Sequence, residues 1–363
     1  MKNLKLFIPG PTHVPNDILQ AMGKNQIGHR TPEISNLIND IKKGVQSLLY
    51  TKNKILLTSN PATALWEMGI VNSVSKNILH AVNGAFSQKW SKVSSICNYN
   101  VEEINYDWGQ GIKVDDIDKL LSTGKFDVFA MVHNETSTGV MSNLNEISEL
   151  LNRKYPDVIW LVDAVSSMAG VKIEVDRLGI DFLLSSTQKA WGLPAGFSLC
   201  SVSDKMYRKS INLKNKGYYF DLMTYEKSYS KNQTPTTPSI SHLFGLQYIL
   251  SKIYKEGLEN RWKRHLDMSV HTKEWALKHN QNLFSENGYE SYTLTCINNN
   301  QNWNINNLNK ELLQRGFRMD RGYGQLRGKA FRIAHMGNIY QQDLDEYLNN
   351  IDDIISNRGR YEV

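Results

Sequence analysis

Short apolar runs recur along the middle of the chain, and segments with helical periodicity separate them. Such runs occupy residues 76–82, 126–133, 157–165, 180–186 and 196–203. They are continuously apolar rather than alternating, which is typical of strands buried on both faces. The stretch 143–155 between two of them is amphipathic, with Asn143 or Asn145 as its candidate N-cap. Strand and helix in alternation predict an α/β fold with a largely parallel sheet.

The pattern changes in the last third of the chain. A long helical segment is predicted from about 239 to 280, and an Asn-rich connector follows at 297–307. A helix, a strand and a final helix complete the sequence. We therefore expect a large domain over 1–250 and a smaller α+β domain over 251–363.

Composition narrows the class of protein. The chain has 363 residues and a formal net charge of +6. No apolar run approaches the ~18 residues of a membrane span, and the N-terminus lacks the apolar core of a signal peptide. Cys97, Cys200 and Cys296 are odd in number and far apart. They favour a reducing, cytoplasmic location and argue against a metal framework.

The densest basic stretch covers residues 205–219. Its aromatic residues are not interleaved with the basic ones as in a platform that stacks nucleic acid bases. We interpret it as a solvated surface or a subunit contact, and we expect neither a nucleic acid nor a membrane partner.

Polar residues that could take part in catalysis or ligand binding follow the predicted strands. Asp163 ends one apolar run, Lys189 follows another, and a helix begins near Thr63 after a hydroxyl-rich turn. Ligands of α/β folds gather at the carboxyl ends of strands, and a helix start binds phosphate. Pyridoxal phosphate needs a lysine for its aldehyde, a carboxylate for its pyridine nitrogen and a phosphate cup. That cofactor would use all three features.

Nine motifs extend this interpretation over nearly the whole chain. They are PGPT (9–12), GHRTPE (28–33), ATALWE (62–67), NGAFSQKW (83–90), HNETSTG (133–139), VDAVSSMAG (162–170), STQKAWGLPAG (186–196), TPTTPSI (234–240) and FRIAHMGN (331–338). With these motifs the chain resembles the class V, fold-type I aminotransferases, in particular the alanine–glyoxylate, serine–glyoxylate and serine–pyruvate group. The resemblance implies a mostly parallel seven-stranded sheet flanked by helices, a small C-terminal domain and a homodimer with a shared active site. It also places an N-terminal arm, about residues 1–17, near that site.

The resemblance assigns roles residue by residue. It implies that Lys189 forms the Schiff base with pyridoxal phosphate and that Asp163 pairs with the pyridine nitrogen. Arg332 would bind the substrate carboxylate, and Gly10 would line the substrate pocket. The cofactor contacts that it implies are Ala62, Thr63, Phe86, Thr136, Gln188 and, from the neighbouring subunit, Thr236. His29 and Arg30 receive no role.

The implied reaction is a ping-pong transamination from a small amino acid, such as alanine, serine or an aspartate-like donor, to glyoxylate or pyruvate. Two alternatives stay open: a lyase or desulfurase on the same fold, and a non-catalytic relative. Against a desulfurase, Gln188 precedes the lysine and Cys296 has no recognisable loop motif. The phosphate turn over 59–64 also lacks the glycines usual in the family, which puts more weight on side-chain contacts with phosphate.

Overall fold

The computed structural model describes residues 4–356 of the chain. The strands are β1 (Lys5–Phe7), β2 (Lys54–Thr58), β3 (Asn77–Val82), β4 (Asn100–Asn105), β5 (Val128–Val132), β6 (Asn134–Glu135), β7 (Val140–Met141), β8 (Ile159–Asp163), β9 (Phe182–Ser186), β10 (Ser198–Val202), β11 (Leu294–Asn298), β12 (Phe317–Met319) and β13 (Ala330–Ala334).

The helices are α1 (Asn16–Met22), α2 (Pro32–Leu48), α3 (Ala62–Val71), α4 (Ala85–Ile96), α5 (Val114–Leu121), α6 (Leu144–Lys154), α7 (Val175–Leu178), α8 (Asp204–Ile211), α9 (Leu222–Tyr229), α10 (Ile240–Glu256), α11 (Leu258–Lys278), α12 (Ile305–Gln314) and α13 (Gln341–Ser356).

A seven-stranded sheet in the order β2-β10-β9-β8-β5-β3-β4 forms the centre of the fold. Its pairs are parallel except that β10 runs antiparallel to both neighbours. The expected α/β fold and the five predicted strands are confirmed, as is the Asn143 cap of α6, whose side chain accepts from Asn145 N. The edge strand β4 was not predicted, because Glu102 and Glu103 interrupt its apolar pattern and are exposed to solvent.

The C-terminal part of the chain has its own apolar core and two small strand pairs. There β11 pairs antiparallel with β13, and β1 pairs parallel with β12. Phe7 from β1 stacks on Tyr347 of α13 at a centroid distance of 4.0 Å. The N-terminal strand therefore packs into the C-terminal core, and the residues that follow it run from there towards Lys189. The domain boundary near 250 stays a prediction.

Two sequence expectations were wrong in detail. The helical segment from about 239 to 280 is two helices, because Gly257 adopts a φ of +85° that ends α10. The Asn-rich segment is not a loop throughout, since α12 begins at Ile305. The Asn304 side chain caps that helix by accepting from Asn307 N at 3.0 Å, so an asparagine here starts a helix.

The basic stretch 205–219 is built into the fold. Three of its lysines form ion pairs with carboxylates of this chain: Lys205 with Asp181, Lys209 with Asp127, and Lys216 with Asp221. Among residues 4–356, no helix combines the length and apolar character that a membrane crossing requires.

Candidate active site

Lys189 lies in the loop that follows β9, beneath the N-terminal segment. Thr12 N donates to Gln188 O at 3.0 Å, and the Thr12 hydroxyl donates to Lys189 O at 3.1 Å. The half-buried lysine itself donates from Nζ to Pro9 O. Burial, followed by the nearby Arg332 charge, lowers the pKa of the Lys189 ammonium to about 8. A substantial neutral fraction of this amine is therefore available near neutral pH.

Gly10 lies against the Lys189 side chain. Its φ is +137°, and a Cβ at this position would stand 2.7 Å from Lys189 Cδ and Cε. A side chain at this position would force the lysine to move, so glycine leaves room for the lysine where it now lies. The predicted role of Gly10 in lining the substrate pocket stays a prediction; in the structure the residue lies against the lysine itself.

Asp163 is the last residue of β8 and is almost fully buried. Its Oδ2 accepts from Trp66 Nε1 at 2.7 Å and its Oδ1 from Val165 N at 2.8 Å. Burial raises the pKa of this carboxyl to about 6, and the two hydrogen bonds oppose that rise. Trp66 was not singled out from the sequence, although it belongs to the ATALWE motif that also supplies the helix start.

Phe86 is held by a carboxylate that sequence reasoning did not assign. Glu135 is completely buried and accepts from Phe86 N at 3.1 Å and from Ser87 N at 2.9 Å. These N–H groups open α4, so the carboxylate binds the positive end of a helix. A Cβ on Gly84 would lie 2.4 Å from Glu135 Cγ, which explains the glycine before this helix.

One cavity of about 510 Å³ brings several predicted residues together. Gly10, Phe86, Lys189 and Arg332 all line it. The Phe86 ring centroid is 5.8 Å from Lys189 Nζ, and the ring stacks on Tyr323 at 5.3 Å. The rest of the lining is Ile8, Pro9, Arg318, Met319, Asp320, Arg321, Gly322, Tyr323, Gly324 and Arg327. The 318–327 segment, which is the end of β12 with the residues after it, contributes most of these residues and was not predicted.

Arg332 lies on β13, with three of its donors engaged. Nε and Nη2 donate to the Asp320 carboxylate at 2.9 and 2.8 Å, and Nη1 donates to Thr136 O at 2.8 Å. The Thr136 hydroxyl bonds the Ser166 hydroxyl at 2.6 Å. Asp320 was missed because nothing in its sequence neighbourhood marks it as the partner of a strand arginine.

The predicted phosphate contacts lie outside this cavity. Helix α3 starts at Ala62 after Pro61, which provides no side-chain cap, so within residues 4–356 the N–H groups of Ala62 and Thr63 have no side-chain acceptor. Gln188 Oε1 accepts from the Ser186 hydroxyl. Thr236 O accepts from the Thr234 hydroxyl at 2.7 Å.

The 234–240 segment lies beside the phosphate turn of its own chain. Ser239 N donates to the Ser59 hydroxyl at 2.8 Å. Arg30, to which the sequence gave no role, donates to Thr234 O at 2.9 Å and so anchors this segment.

The residues present fit pyridoxal phosphate. A half-buried lysine with a lowered pKa, a buried carboxylate and an uncapped helix start are the groups that its aldehyde, ring nitrogen and phosphate require. Gly10, Phe86 and Lys189 line one cavity of about 510 Å³, which provides space beside the lysine. Lys189, Asp163, Ala62 and Thr63 would hold the cofactor.

Comparison with known proteins decides the family. The family model described as aminotransferase class-V matches residues 6–322. The chain belongs to the class-V aminotransferases. It is 31% identical to the soluble hydrogenase 42 kDa subunit of Anabaena cylindrica, over 98% of this chain and 94% of that protein. It is 30% identical to the serine–glyoxylate aminotransferase of Arabidopsis thaliana, over 98% and 90% of the two chains.

A solved aminotransferase structure has the same fold as this chain. The alanine–glyoxylate aminotransferase of Nostoc sp. superposes with a TM-score of 0.91 at 26% identity, covering 98% of this chain and 96% of that one. The predicted fold-type I architecture and the resemblance to this family are therefore confirmed. This class-V aminotransferase is a pyridoxal phosphate enzyme.

The desulfurase alternative finds no support in the structure. Cys296 lies buried within β11 rather than on a loop. Burial raises the pKa of its thiol to about 12, so the nucleophilic thiolate is scarce at neutral pH.

Proposed function

We propose that this enzyme transfers the amino group of a small amino acid to glyoxylate or pyruvate by a ping-pong mechanism. Alanine, serine and aspartate-like amino acids are the candidate donors. The observation that carries the proposal is the cavity in which the guanidinium of Arg332 and the amine of Lys189 both lie. Relatives named serine–glyoxylate and L-aspartate–glyoxylate aminotransferase support the choice of acceptor.

Lys189 has two tasks in this proposal. Its neutral amine would hold the aldehyde of the cofactor, with release of water, and once an amino donor has taken that place the freed amine would move a proton from the donor's α-carbon as general base and acid. Its pKa of about 8 suits both tasks, because the protonated and neutral forms are both populated near neutral pH.

Asp163 holds a proton on the pyridine nitrogen. Its carboxylate is fixed by Trp66 and Val165, and its burial keeps water from competing for the same proton. Pyridoxal phosphate, when bound, supplies an electron sink for the bond broken at the substrate's α-carbon. A cation at the ring nitrogen would also favour the ionised form of this carboxyl.

The remaining cofactor contacts follow from the elements around the cavity. The N–H groups of Ala62 and Thr63 would hold the phosphate together with Gln188. Phe86 and Thr136 would contribute an aromatic ring and a hydroxyl to the cofactor site. The unpaired N–H groups at the uncapped start of α3 and the positive end of its helix dipole both favour an anion there.

The proposal includes a homodimer in which Thr236 completes the phosphate site of the neighbouring subunit. The TPTTPSI motif that contains Thr236 supports this part of the proposal, and within its own chain the motif also contacts the 59–64 turn, since Ser239 N donates to the Ser59 hydroxyl. We place the enzyme in the cytoplasm, because its three cysteines are free rather than paired in disulfides.

A donor panel tests the reaction. Protein loaded with pyridoxal phosphate is mixed with L-alanine, L-serine, L-aspartate or ethylamine, and the near-visible absorbance of the bound cofactor is followed. We expect the amino acids to bleach the absorbance and glyoxylate or pyruvate to restore it. Bleaching that no 2-oxo acid reverses would contradict transamination.

The Arg332→Ala variant tests the carboxylate contact. Removal of one partner from a desolvated charge pair costs about 2–5 kcal/mol, or roughly thirty- to several-thousand-fold in kcat/KM. Ethylamine, which has no carboxylate, should lose little. An equal loss for alanine and ethylamine would show that Arg332 supports the fold or the cofactor instead.

A further inference from the structure

Asp320 occupies one side of the Arg332 guanidinium. Its Oδ1 accepts from Nε at 2.9 Å and its Oδ2 from Nη2 at 2.8 Å. The two side chains are only 6% and 13% exposed. This is a bidentate pair, in which two parallel N–H bonds fix the plane and the direction of the guanidinium.

The pair leaves part of Arg332 available. A guanidinium carries five N–H groups. Asp320 takes two of them and Thr136 O takes a third, from Nη1 at 2.8 Å. One N–H on Nη1 and one on Nη2 therefore remain, on a side chain that lines the cavity shared with Lys189.

We propose that Asp320 is a positioning residue for the substrate, because it fixes Arg332 so that its two remaining N–H groups bind the substrate carboxylate. This inference rests on the proposed function, which makes Arg332 the carboxylate-binding group. An arginine that is already ordered loses little side-chain entropy on binding, whereas an unpaired one must be ordered by the substrate. The opposing possibility is that Asp320 competes with the substrate for the guanidinium.

The same pair sets the charge near the lysine. Burial is the largest cause of the lowered pKa of Lys189, and the positive charge of Arg332 is the next. The negative charges of Asp163, Asp320 and Glu135 act in the opposite direction. Loss of the Asp320 charge leaves Arg332 uncompensated, so the lysine should lose its proton at lower pH.

The experiment compares the isosteric variant Asp320→Asn with Glu311→Gln. Glu311 is exposed on α12 and is not part of the cavity lining, so its variant removes one negative charge from the same region of the chain. We expect Asp320→Asn to raise the KM for L-alanine about tenfold or more, as for loss of hydrogen bonds to a charged group. The rate with ethylamine should change less than twofold, and Glu311→Gln should behave as wild type.

Absorbance gives the second readout. The rate at which apo-protein captures pyridoxal phosphate is followed by absorbance as a function of pH in wild type, Asp320→Asn and Asp320→Glu. We expect the midpoint to fall in Asp320→Asn and to stay near the wild-type value in Asp320→Glu, which keeps the charge. If Asp320→Asn does not fold, the KM for L-alanine is measured in Asp320→Glu instead. The longer side chain of glutamate keeps the charge but shifts the pairing with Arg332, so this KM should also rise.

Three results would overturn the inference. A lower KM for L-alanine in Asp320→Asn would show that Asp320 competes with the substrate. An equal loss for L-alanine and ethylamine would show a structural role, and unchanged kinetics with an unchanged midpoint would show no role at all. If wild-type protein loads the cofactor but transfers no amino group, the proposed function fails, while the pH midpoint still reports on the pair.

Discussion

Replacement of Gly10 by alanine puts a methyl group where the Lys189 side chain lies. The added Cβ would stand 2.7 Å from Cδ and Cε and 2.8 Å from Nζ of the lysine. Carbon atoms in contact ordinarily stand about 3.5–4.0 Å apart, so one group must move by about 1 Å. The φ of +137° adds backbone strain of about 1–3 kcal/mol for a residue with a side chain.

We expect this substitution to slow the chemistry of Lys189 in addition to the stability lost through backbone strain. The atoms that the methyl group meets are the far end of a flexible side chain, so the lysine can swing aside at little cost to the fold. A displacement of 1 Å in a reacting group costs about 100-fold in rate. Gly124→Ala is the matched control, because Gly124 has a φ of +68° and no atom within 4 Å of the added Cβ.

The assay has two parts. Thermal unfolding measures the strain, and both variants should lose about 1–3 kcal/mol of stability. The rate at which apo-protein captures pyridoxal phosphate, followed by absorbance, measures the reactivity of Lys189. Only Gly10→Ala should lose about 100-fold of that rate. A wild-type rate in Gly10→Ala, or an equal loss in Gly124→Ala, would refute the reasoning.

Three further predictions concern the reacting groups. Because the pKa of Lys189 is about 8, the rate at which apo-protein captures pyridoxal phosphate should rise with pH up to about 8 and then level off. A rate that continues to rise up to pH 10.5 would indicate an ordinary lysine. Asp163→Asn should lower kcat more than cofactor affinity, since an amide cannot keep the pyridine nitrogen protonated, and a loss confined to affinity would contradict this. Mixed dimers of Lys189→Ala and Thr236→Ala should regain one intact site, and activity no better than either parent would place both residues in the same subunit's site.

Much of this protein was predictable from local patterns. Continuous apolar runs indicated β3, β5, β8, β9 and β10, because strands buried on both faces need apolar residues at every position. Asp163 and Lys189 were selected as candidates for a related reason: parallel strands end at one edge of the sheet, so polar residues that follow two such strands are expected to come close together. Each of these inferences depends on residues that are neighbours along the chain.

The partners of these residues depended on tertiary structure. Pro9 lies 180 positions from Lys189 in the sequence, and Glu135 lies 49 positions from Phe86, yet both pairs are in contact. Periodicity gives no information about such pairs, because they form only when loops and helices pack over the sheet. Asp320 and Arg332 are 12 positions apart, but their contact requires the 318–327 segment to turn back onto β13. Hydrogen-bond geometry between distant segments is a property of that packing, and so the orientation of the arginine was decided only in the folded chain.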